Sequence, residues 1–345
     1  MTNQHEITKR MPLLNREGNL TEPGWARGLL WDYHRPDIRA SGMRIKEWDY
    51  YFVSNGHIGL ALTIADNGYM GLDSVSYLDF DEKWEITKSP MRLLPMGKTA
   101  LPETSAAGSS EIARGGYALA FYHDDDGTRK LTFHMDKFRG KDAIEGMISL
   151  SDEPAESMVI ATPFEKSGHF YYNQKINCMR AAGWIELGGA RVELDPKTWF
   201  AVLDWGRGVW TYHNTWYWGS ASGELDGVPF GWNIGYGFGD TSAASENVLF
   251  YGGKIHKLSQ VRFEIPMQDG EENYLAPWRF SSDDGRFEMA FAPILNRAAY
   301  TSLGVIKSDQ NQVFGRFTGT AALDDGTVLQ VNDFFGFAEK VENKW

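Results

Sequence analysis

The sequence has little cysteine and no long apolar run. Its single cysteine, Cys178, excludes an intrachain disulfide framework and any metal site built from several cysteines. Nowhere do about eighteen apolar residues follow one another, so we expect no membrane-spanning helix. The N-terminus also lacks an apolar stretch of signal-peptide length, and we therefore expect a cytoplasmic protein.

Positive charge is scarce too. The chain has 34 Lys and Arg against 46 Asp and Glu, a net charge of −12. Such a surface repels phosphate backbones and anionic headgroups, which argues against nucleic-acid partners and against docking on an anionic membrane. The histidines best placed for chemistry, His134, His213 and His256, are too scattered for a metal motif. We expect neither a metal nor another cofactor.

Aromatic residues are abundant. They make up 14% of the chain, and 13 of its 345 residues are tryptophan. A surplus of this kind is typical of strand-rich packing around aromatic-lined cavities, or of surfaces that face sugars or lipids. We therefore expect a small-molecule ligand rather than a macromolecule.

Short apolar runs alternate with Gly, Asn and Asp turns along the chain. The runs at 46–53 and 58–64, joined by Asn55-Gly56, are a typical hairpin pattern, and about twenty such strands are predicted. Residues 296–306 are the one short helix we expect. The polar segment 95–116 is predicted to be a long loop, either a lid or an insertion. The fold class is all-β, a barrel or a sandwich.

The most unusual stretch is 203–219, which places four tryptophans around one acid, Asp204. In an aromatic pocket, burial would raise the pKa of such a carboxyl group and make it a proton donor. Arg207 could instead pair with Asp204 and brace a corner, or bind an anionic substrate group. The tryptophans either fill a core or line a cavity; they are Trp205, Trp210, Trp216 and Trp218, with Trp232 further along.

Further candidates follow in the next strands. Glu246 precedes an apolar strand, so its carboxylate is expected to point inward, and Glu246 or His213 could activate water. Asp240 could form a second carboxylate pair with Asp204, as glycosidases require. Tyr236, Asn247 and His256 complete the expected binding residues.

Three motifs carry a family resemblance: Leu-Asp-Trp-Gly-Arg-Gly at 203–208, Trp-Tyr-Trp-Gly-Ser-Ala-Ser-Gly at 216–223, and Asn-Ile-Gly-Tyr-Gly-Phe-Gly-Asp at 233–240. From about Leu14 to the C-terminus, the chain resembles the bacterial family called domain of unknown function 2804. More weakly, it is similar to the lipocalin-like group of carotenoid 1,2-hydratase and tocopherol cyclase.

The resemblance implies two tandem lipocalin-like (calycin-type) antiparallel β-barrels with a pocket between or within them. We divide the chain into an N-terminal arm (1–25), a first barrel (26–180) and a second barrel (181–345), with the boundary in the window 165–200. In the lipocalin-like group, an acid protonates an alkene and aromatic rings shelter the carbocation.

Three functions stay open. The first is a cofactor-independent hydratase- or cyclase-like lyase or isomerase acting on an apolar unsaturated molecule. The second is a non-catalytic binder of a hydrophobic small molecule. The third is a carbohydrate-active protein with paired carboxylates. A closed apolar cavity would favour the first two, and an open acidic groove floored by indoles the third.

Overall fold

The computed structural model describes residues 4–124, 126–303 and 306–344. In these residues the fold is all-β, as predicted, with 27 strands and two 3-10 helices, at Arg35–Asp37 and Gly42–Arg44. None of the described helices has the length and apolar character needed to cross a membrane. Alternating side chains on short strands, broken by Gly and Asx turns, account for this architecture.

Strands β1 to β16 occupy the part of the chain up to Val209. They are β1 (Met11–Pro12), β2 (Gly24–Ala26), β3 (Trp31–Asp32), β4 (Ile45–Ser54), β5 (Ile58–Asp66), β6 (Met70–Asp79), β7 (Trp84–Lys88), β8 (Met91–Leu93), β9 (Gly108–Arg114), β10 (Tyr117–His123), β11 (Arg129–Arg139), β12 (Asp142–Ser151), β13 (Met158–Pro163), β14 (Phe170–Leu187), β15 (Ala190–Leu194) and β16 (Phe200–Val209).

The remaining strands follow from His213. They are β17 (His213–Leu225), β18 (Val228–Tyr236), β19 (Val248–Tyr251), β20 (Lys254–Lys257), β21 (Val261–Glu264), β22 (Met267–Gln268), β23 (Glu271–Glu272), β24 (Trp278–Ser282), β25 (Phe287–Leu303), β26 (Ile306–Ala322) and β27 (Val328–Lys344).

Two large antiparallel sheets hold most of these strands. The first has 14 strands with the main order β7-β6-β5-β4-β16-β14-β12-β11-β10-β9, and the second has nine in the order β20-β19-β18-β17-β27-β26-β25-β24-β21. Each sheet curls around its own apolar core, one containing Trp205 and the other Trp232. This confirms the expected all-β fold, with two consecutive curled antiparallel sheets that are consistent with barrels or half-barrels.

The chain changes sheet later than the sequence suggested. It leaves the first sheet after Val209 and enters the second at His213, beyond the 165–200 window and the expected division at 180/181. The reason is that β16 returns to pair with both β4 and β14, inside the first sheet. Residues 188–189, inside the expected boundary window, only join β14 to β15.

Two local expectations are corrected. Residues 296–303 continue β25 instead of forming a helix, because they pair with β26 from Asn296↔Val313 to Leu303↔Ile306; positions 304 and 305 of the expected helix lie outside the described residues. Within the expected loop 95–116, residues 108–114 form β9. The rest of that segment lies against the first sheet, where the Pro102 carbonyl accepts from Arg207 and the Ser105 carbonyl from Arg129.

The N-terminal arm, described from residue 4 onward, reaches both sheets. Ile7, Leu13 and Leu14 are buried in the first core, while Gln4 donates to the carbonyl oxygen of Leu258 and His5 to that of Ala243. The outer faces of the two sheets also pack directly on each other, through an apolar cluster that includes Phe52, Phe80, Phe314 and Phe337.

A candidate active site between the two sheets

A cavity of about 280 Å³ lies between the two sheets. Its walls are mainly aromatic, and charged side chains enter it from both sheets. A second cavity of about 310 Å³ lies at the same interface, but its acids, Glu224 and Asp333, are 33% and 80% exposed. The first cavity is therefore the better candidate for chemistry. Its aromatic residues are Trp48, Tyr50, Tyr171, Trp210, Trp216, Trp218 and Phe238.

Strand alternation places Asp204 in this cavity. On β16, Leu203 and Trp205 point into the first core, so Asp204 points to the opposite face, towards the second sheet. Gly206, two residues on, shares that face and leaves room for the Trp48 indole. A Cβ atom at Gly206 would lie 1.9 Å from Cζ2 of Trp48. Position 206 therefore requires glycine, because the Trp48 indole packs directly against its backbone.

Asp204 is held by two donors from β14. Lys175 is its partner across the strand pair, with Nζ 2.9 Å from Oδ1, and Asn173 donates to the same oxygen at 2.6 Å. The Lys175 ammonium also lies 4.1 Å from the centroid of the Trp218 ring, a favourable position for a cation. Asp204 therefore accepts hydrogen bonds within a buried ion pair.

Glu339 on β27 is the second carboxyl group of the cavity. Trp216 donates its indole N–H to Oε1 at 2.9 Å, and the Gln312 amide donates to Oε2 at 3.0 Å. Burial raises the pKa of Glu339 to about 7. Water cannot solvate the charge here, so the neutral acid is favoured. A carboxyl group with a pKa of about 7 is suited to donate a proton near neutral pH.

Glu246 is the third carboxyl group. Its Oε2 lies 4.0 Å from Nζ of Lys175 and accepts from Asn233 at 3.3 Å. Burial raises the pKa of Glu246 as well. The Asn233 side-chain oxygen accepts the Trp218 indole N–H at 2.7 Å, which couples this acid to the aromatic wall. The Lys175 ammonium group therefore lies between the carboxyl groups of Asp204 and Glu246, and Glu339 is a third carboxyl group in the same cavity.

The structure brings together five of the residues predicted from sequence: Asp204, Glu246, Trp210, Trp216 and Trp218 all line the cavity. Trp216 and Trp218 on β17 line the cavity, which is one of the two alternatives that the sequence left open for the tryptophans. Asp240 is exposed and accepts from the backbone N–H of Ser242, so it is not brought to Asp204.

Arg207 lies on the opposite face of β16 and does not pair with Asp204. Its Nη1 bonds Asp49 Oδ1 at 3.0 Å and the Trp48 carbonyl at 2.8 Å, and its guanidinium stacks 4.1 Å from the ring of Trp205. The physical reason is the two-residue period of a strand, which puts positions 204 and 207 on different faces. Arg207 and Trp205 thus belong to the core of the first sheet.

The other predicted residues lie elsewhere. Trp232 and Tyr236 pack in the core of the second sheet. Asn247 is buried, accepting from the Gly235 N–H and donating to the Ser259 carbonyl, so it fixes the segment that carries Glu246. His213 is exposed at the start of β17. His256 accepts from the backbone N–H of Asp324.

Sequence reasoning missed Lys175, Glu339 and Gln312. A signal was present: Glu339 follows Phe335 and Phe337 on the same face of β27, so a charged side chain occupies a position where the alternation calls for an apolar one. Lys175 carried no such signal, because its neighbours at a two-residue spacing on β14 are Asn173 and Asn177. Among the described residues, no group of three or more His, Cys, Asp or Glu side chains could hold a metal ion.

Comparison with known proteins identifies the family. The family described as domain of unknown function DUF2804 matches residues 4–345. The chain belongs to this family. No curated protein sequence matches the chain significantly.

Solved structures offer two comparisons. A protein provisionally assigned as AttH (NE1406) from Nitrosomonas europaea superposes with a TM-score of 0.52 at 11% identity, over 87% of this chain and 92% of the other. Kievitone hydratase from Nectria haematococca has a TM-score of 0.48 at 8% identity, over 97% and 98% of the two chains. At 11% identity, the likeness to the Nitrosomonas protein concerns the fold alone.

Proposed function

We propose that this DUF2804 protein is a cofactor-independent hydratase-type lyase that adds water to a carbon–carbon double bond of an apolar small molecule. The observation that carries the proposal is Glu339, a buried carboxyl group whose pKa is raised to about 7 in an aromatic-lined cavity. The sequence had assigned the acid role to Asp204. The ion pair with Lys175 makes Asp204 a charge partner, and the proton donor in our proposal is Glu339.

In the first step, Glu339 donates its proton to one alkene carbon, and the π electrons form the new C–H bond. The adjacent carbon becomes a carbocation. The aromatic rings that line the cavity, among them Trp216 and Tyr171, supply negative potential around it. Lys175, neutralised by Asp204, adds little net positive charge against the cation.

In the second step, a water oxygen attacks the carbocation and its proton passes to Glu246. The raised pKa of Glu246 makes it a better proton acceptor than an ordinary carboxylate. Return of that proton through solvent to Glu339 restores the starting state. The sum is alkene plus water giving an alcohol, and the reverse direction is the dehydration.

The test is isotope incorporation. Purified protein is incubated in H2(18)O with a panel of apolar alkenes, and mass spectrometry follows gain of one labelled water. The Glu339→Gln variant is expected to be slower by roughly 100-fold or more, the usual contribution of a general acid. Glu288→Gln, an exposed acid on the second sheet, is the matched control and should keep full activity. Labelled product formed equally by Glu339→Gln would contradict the assigned acid.

The alternative is a non-catalytic carrier, which the largely aromatic cavity wall favours equally. Native mass spectrometry of protein purified from its host distinguishes the two. An apolar molecule retained by wild type and by Glu339→Gln alike, with no labelled product, supports a carrier. A molecule that accumulates only on the variant, one water lighter than the product released by wild type, supports the hydratase. A sugar bound instead would favour the carbohydrate-active hypothesis.

A further inference from the structure

One arginine in the wall of the candidate active-site cavity has no acidic partner. Among the residues that the structure describes, the cationic side chains of this wall are Lys175 and Arg297. Lys175 is paired with Asp204 and lies 4.0 Å from Glu246. Arg297 instead donates to the neutral hydroxyl of Ser76 at 2.8 Å and forms no ion pair in this described part of the chain. Because a guanidinium group carries five N–H donors, Arg297 keeps donors for a ligand.

Strand pairing places Arg297 in line with the proposed acid. Arg297 on β25 pairs with Gln312 on β26, and Gln312 pairs with Glu339 on β27. Directly paired residues project from the same face of a sheet, and all three line the cavity. Neighbouring strands are about 4.8 Å apart, so the Cα atoms of Arg297 and Glu339 are separated by roughly 10 Å. A ligand held at Arg297 can therefore extend along this row to Glu339.

Hydroxyl groups of the first sheet surround the same end of the cavity. Ser76, the hydrogen-bond partner of Arg297, lies on β6 two residues from Ser74, so both project from one face. Ser74 bonds Ser89 at 2.9 Å and pairs with Thr63, and these three residues line the cavity. A guanidinium group beside neutral hydroxyls suits a carboxylate, because a carboxylate accepts several hydrogen bonds and binds arginine through two parallel ones.

The Tyr50 hydroxyl is a further donor at this polar end. Tyr50 pairs with Thr63 on β5 and lines the cavity. Its hydroxyl group is buried, and within the described ranges it has no hydrogen-bond partner. Burial raises the pKa of Tyr50 to about 12, so the phenol is protonated at neutral pH and able to donate. A buried polar group without a protein partner indicates that a ligand or water binds there.

The aromatic side chains gather at the other end of the cavity. Trp210, Trp216 and Phe238 are in mutual ring contact, with centroids 4.8, 5.3 and 5.9 Å apart, and Tyr171 packs on Phe238. The Trp216 indole also donates to Glu339. The cavity therefore joins a cationic, hydroxyl-lined end to an apolar end, and the proposed acid lies between them.

Glu85 is the acid at the polar end, and it does not occupy the guanidinium group. Glu85 lines the cavity and accepts the hydroxyl of Thr87 at 2.8 Å. The Thr87 hydroxyl oxygen lies 2.8 Å from that of Ser76, which in turn accepts from Arg297. Two neutral hydroxyl groups thus separate this carboxylate from Arg297. The chain of hydrogen bonds fixes the arginine from one side and leaves the rest of its fork to a ligand.

We propose that Arg297 binds the carboxylate of an amphipathic unsaturated acid and that the aromatic end of the cavity takes up its hydrocarbon part. As a statement about substrate class this rests on the proposed function, whereas binding of the carboxylate stands on the cavity alone. A free guanidinium group would oppose a carbocation formed beside Glu339, and a bound carboxylate neutralises it. The sequence had offered Arg207 for an anionic substrate group, but Arg207 bonds Asp49 outside the cavity.

The test is isothermal titration calorimetry of the full chain, with undecylenate as the probe and undecylenyl alcohol as its neutral counterpart. Arg297→Met removes the charge, and Arg297→Lys keeps the charge without the planar fork. Arg316→Met is the matched control, because Arg316 is a partly buried arginine that lines the second cavity and bonds the carbonyls of Gly56 and Asp333. Thermal melting verifies that all variants fold, and the comparison of acid with alcohol in wild type needs no variant.

Wild type and Arg316→Met are expected to bind the acid at least roughly tenfold more tightly than the alcohol, as a charge-assisted hydrogen bond provides. Arg297→Met should lose this preference with its affinity for the alcohol unchanged, and Arg297→Lys should keep part of the preference. Equal affinity of wild type for the two probes, binding of neither probe, or a preference retained by Arg297→Met overturns the proposal.

Failure of the proposed function gives a different result. Arg297-dependent binding of the acid, with no incorporation of labelled water into any alkene, would leave the carboxylate site in place and reject the hydratase. Incorporation of labelled water into neutral alkenes, with no preference for acids, would keep the hydratase and reject the carboxylate site.

Discussion

Lys175 and Asp204 face each other on neighbouring strands, with Nζ and Oδ1 2.9 Å apart and side chains only 3% and 11% exposed. Lys175→Met would leave Asp204 buried without its cation, and we expect the free energy of unfolding to fall by about 3–5 kcal/mol. Denaturant titration measures it, with the exposed Lys197→Met as control. The double variant Lys175→Met/Asp204→Asn should recover part of the loss. A loss below about 1 kcal/mol for Lys175→Met would show that the pair behaves as a solvated surface pair.

Glu339 makes stability depend on pH. Its pKa is about 7 in the folded protein and 4.5 ordinarily, so the folded state holds its proton more tightly than the unfolded state. The stability that this tighter proton binding contributes is fully present below pH 4.5 and is lost as the pH rises through about 7. Between pH 4.5 and about 7, wild type should therefore lose about 3 kcal/mol of unfolding free energy relative to Glu339→Gln. Denaturant midpoints between pH 4 and 8 measure it, and Glu288→Gln should track wild type throughout.

The proton on Glu339 also sets the pH dependence of the proposed addition of water to an alkene. Because the acid must be protonated to donate, turnover should fall as the pH rises through about 7. The initial rate of label incorporation across pH 5–9 measures this. A rate that instead rises through pH 7 would show that the protonated carboxyl of Glu339 is not the active form.

The strand pattern allowed much of the fold to be predicted, because two-residue alternation between Asn-Gly and Asp-Gly turns is typical of β-hairpins and rare in helical proteins. The helix expected at 296–306 was wrong for residues 296–303, which form a strand because they pair with β26, a segment that follows them in the chain. Tertiary pairing overrides local preference in such cases.

The site was only partly predictable for a related reason. Asp204 and Glu246 were recognisable as acids beside apolar strands. Their neighbours Lys175 and Glu339 are distant in sequence and approach them only because β14 pairs with β16 and the second sheet packs on the first. Strand order and sheet packing are properties of the whole chain, and no local window contains them.

Gly206 is a test of how the cavity wall is built. Gly206→Ala would push a methyl group into the Trp48 indole, which would have to move. We expect a loss of about 1–3 kcal/mol in unfolding free energy and a changed tryptophan fluorescence spectrum. Gly115→Ala is the control because nothing lies within 4 Å of its added Cβ. Equal stability of both variants would show that the wall adapts freely.

The Arg207→Met variant tests whether Arg207 has a structural role or a catalytic one. Its side chain is fully buried, bonds Asp49 and the carbonyl of Pro102, and lies outside the cavity. Arg207→Met would leave the carboxylate of Asp49 without its guanidinium partner, so we expect a loss of about 3–5 kcal/mol in unfolding free energy. Arg262→Met, at a side chain 78% exposed, should change stability by less than about 0.5 kcal/mol. The pH profile of label incorporation should keep its midpoint in Arg207→Met at a temperature where that variant stays folded. A shifted midpoint with unchanged stability would instead place Arg207 in the chemistry.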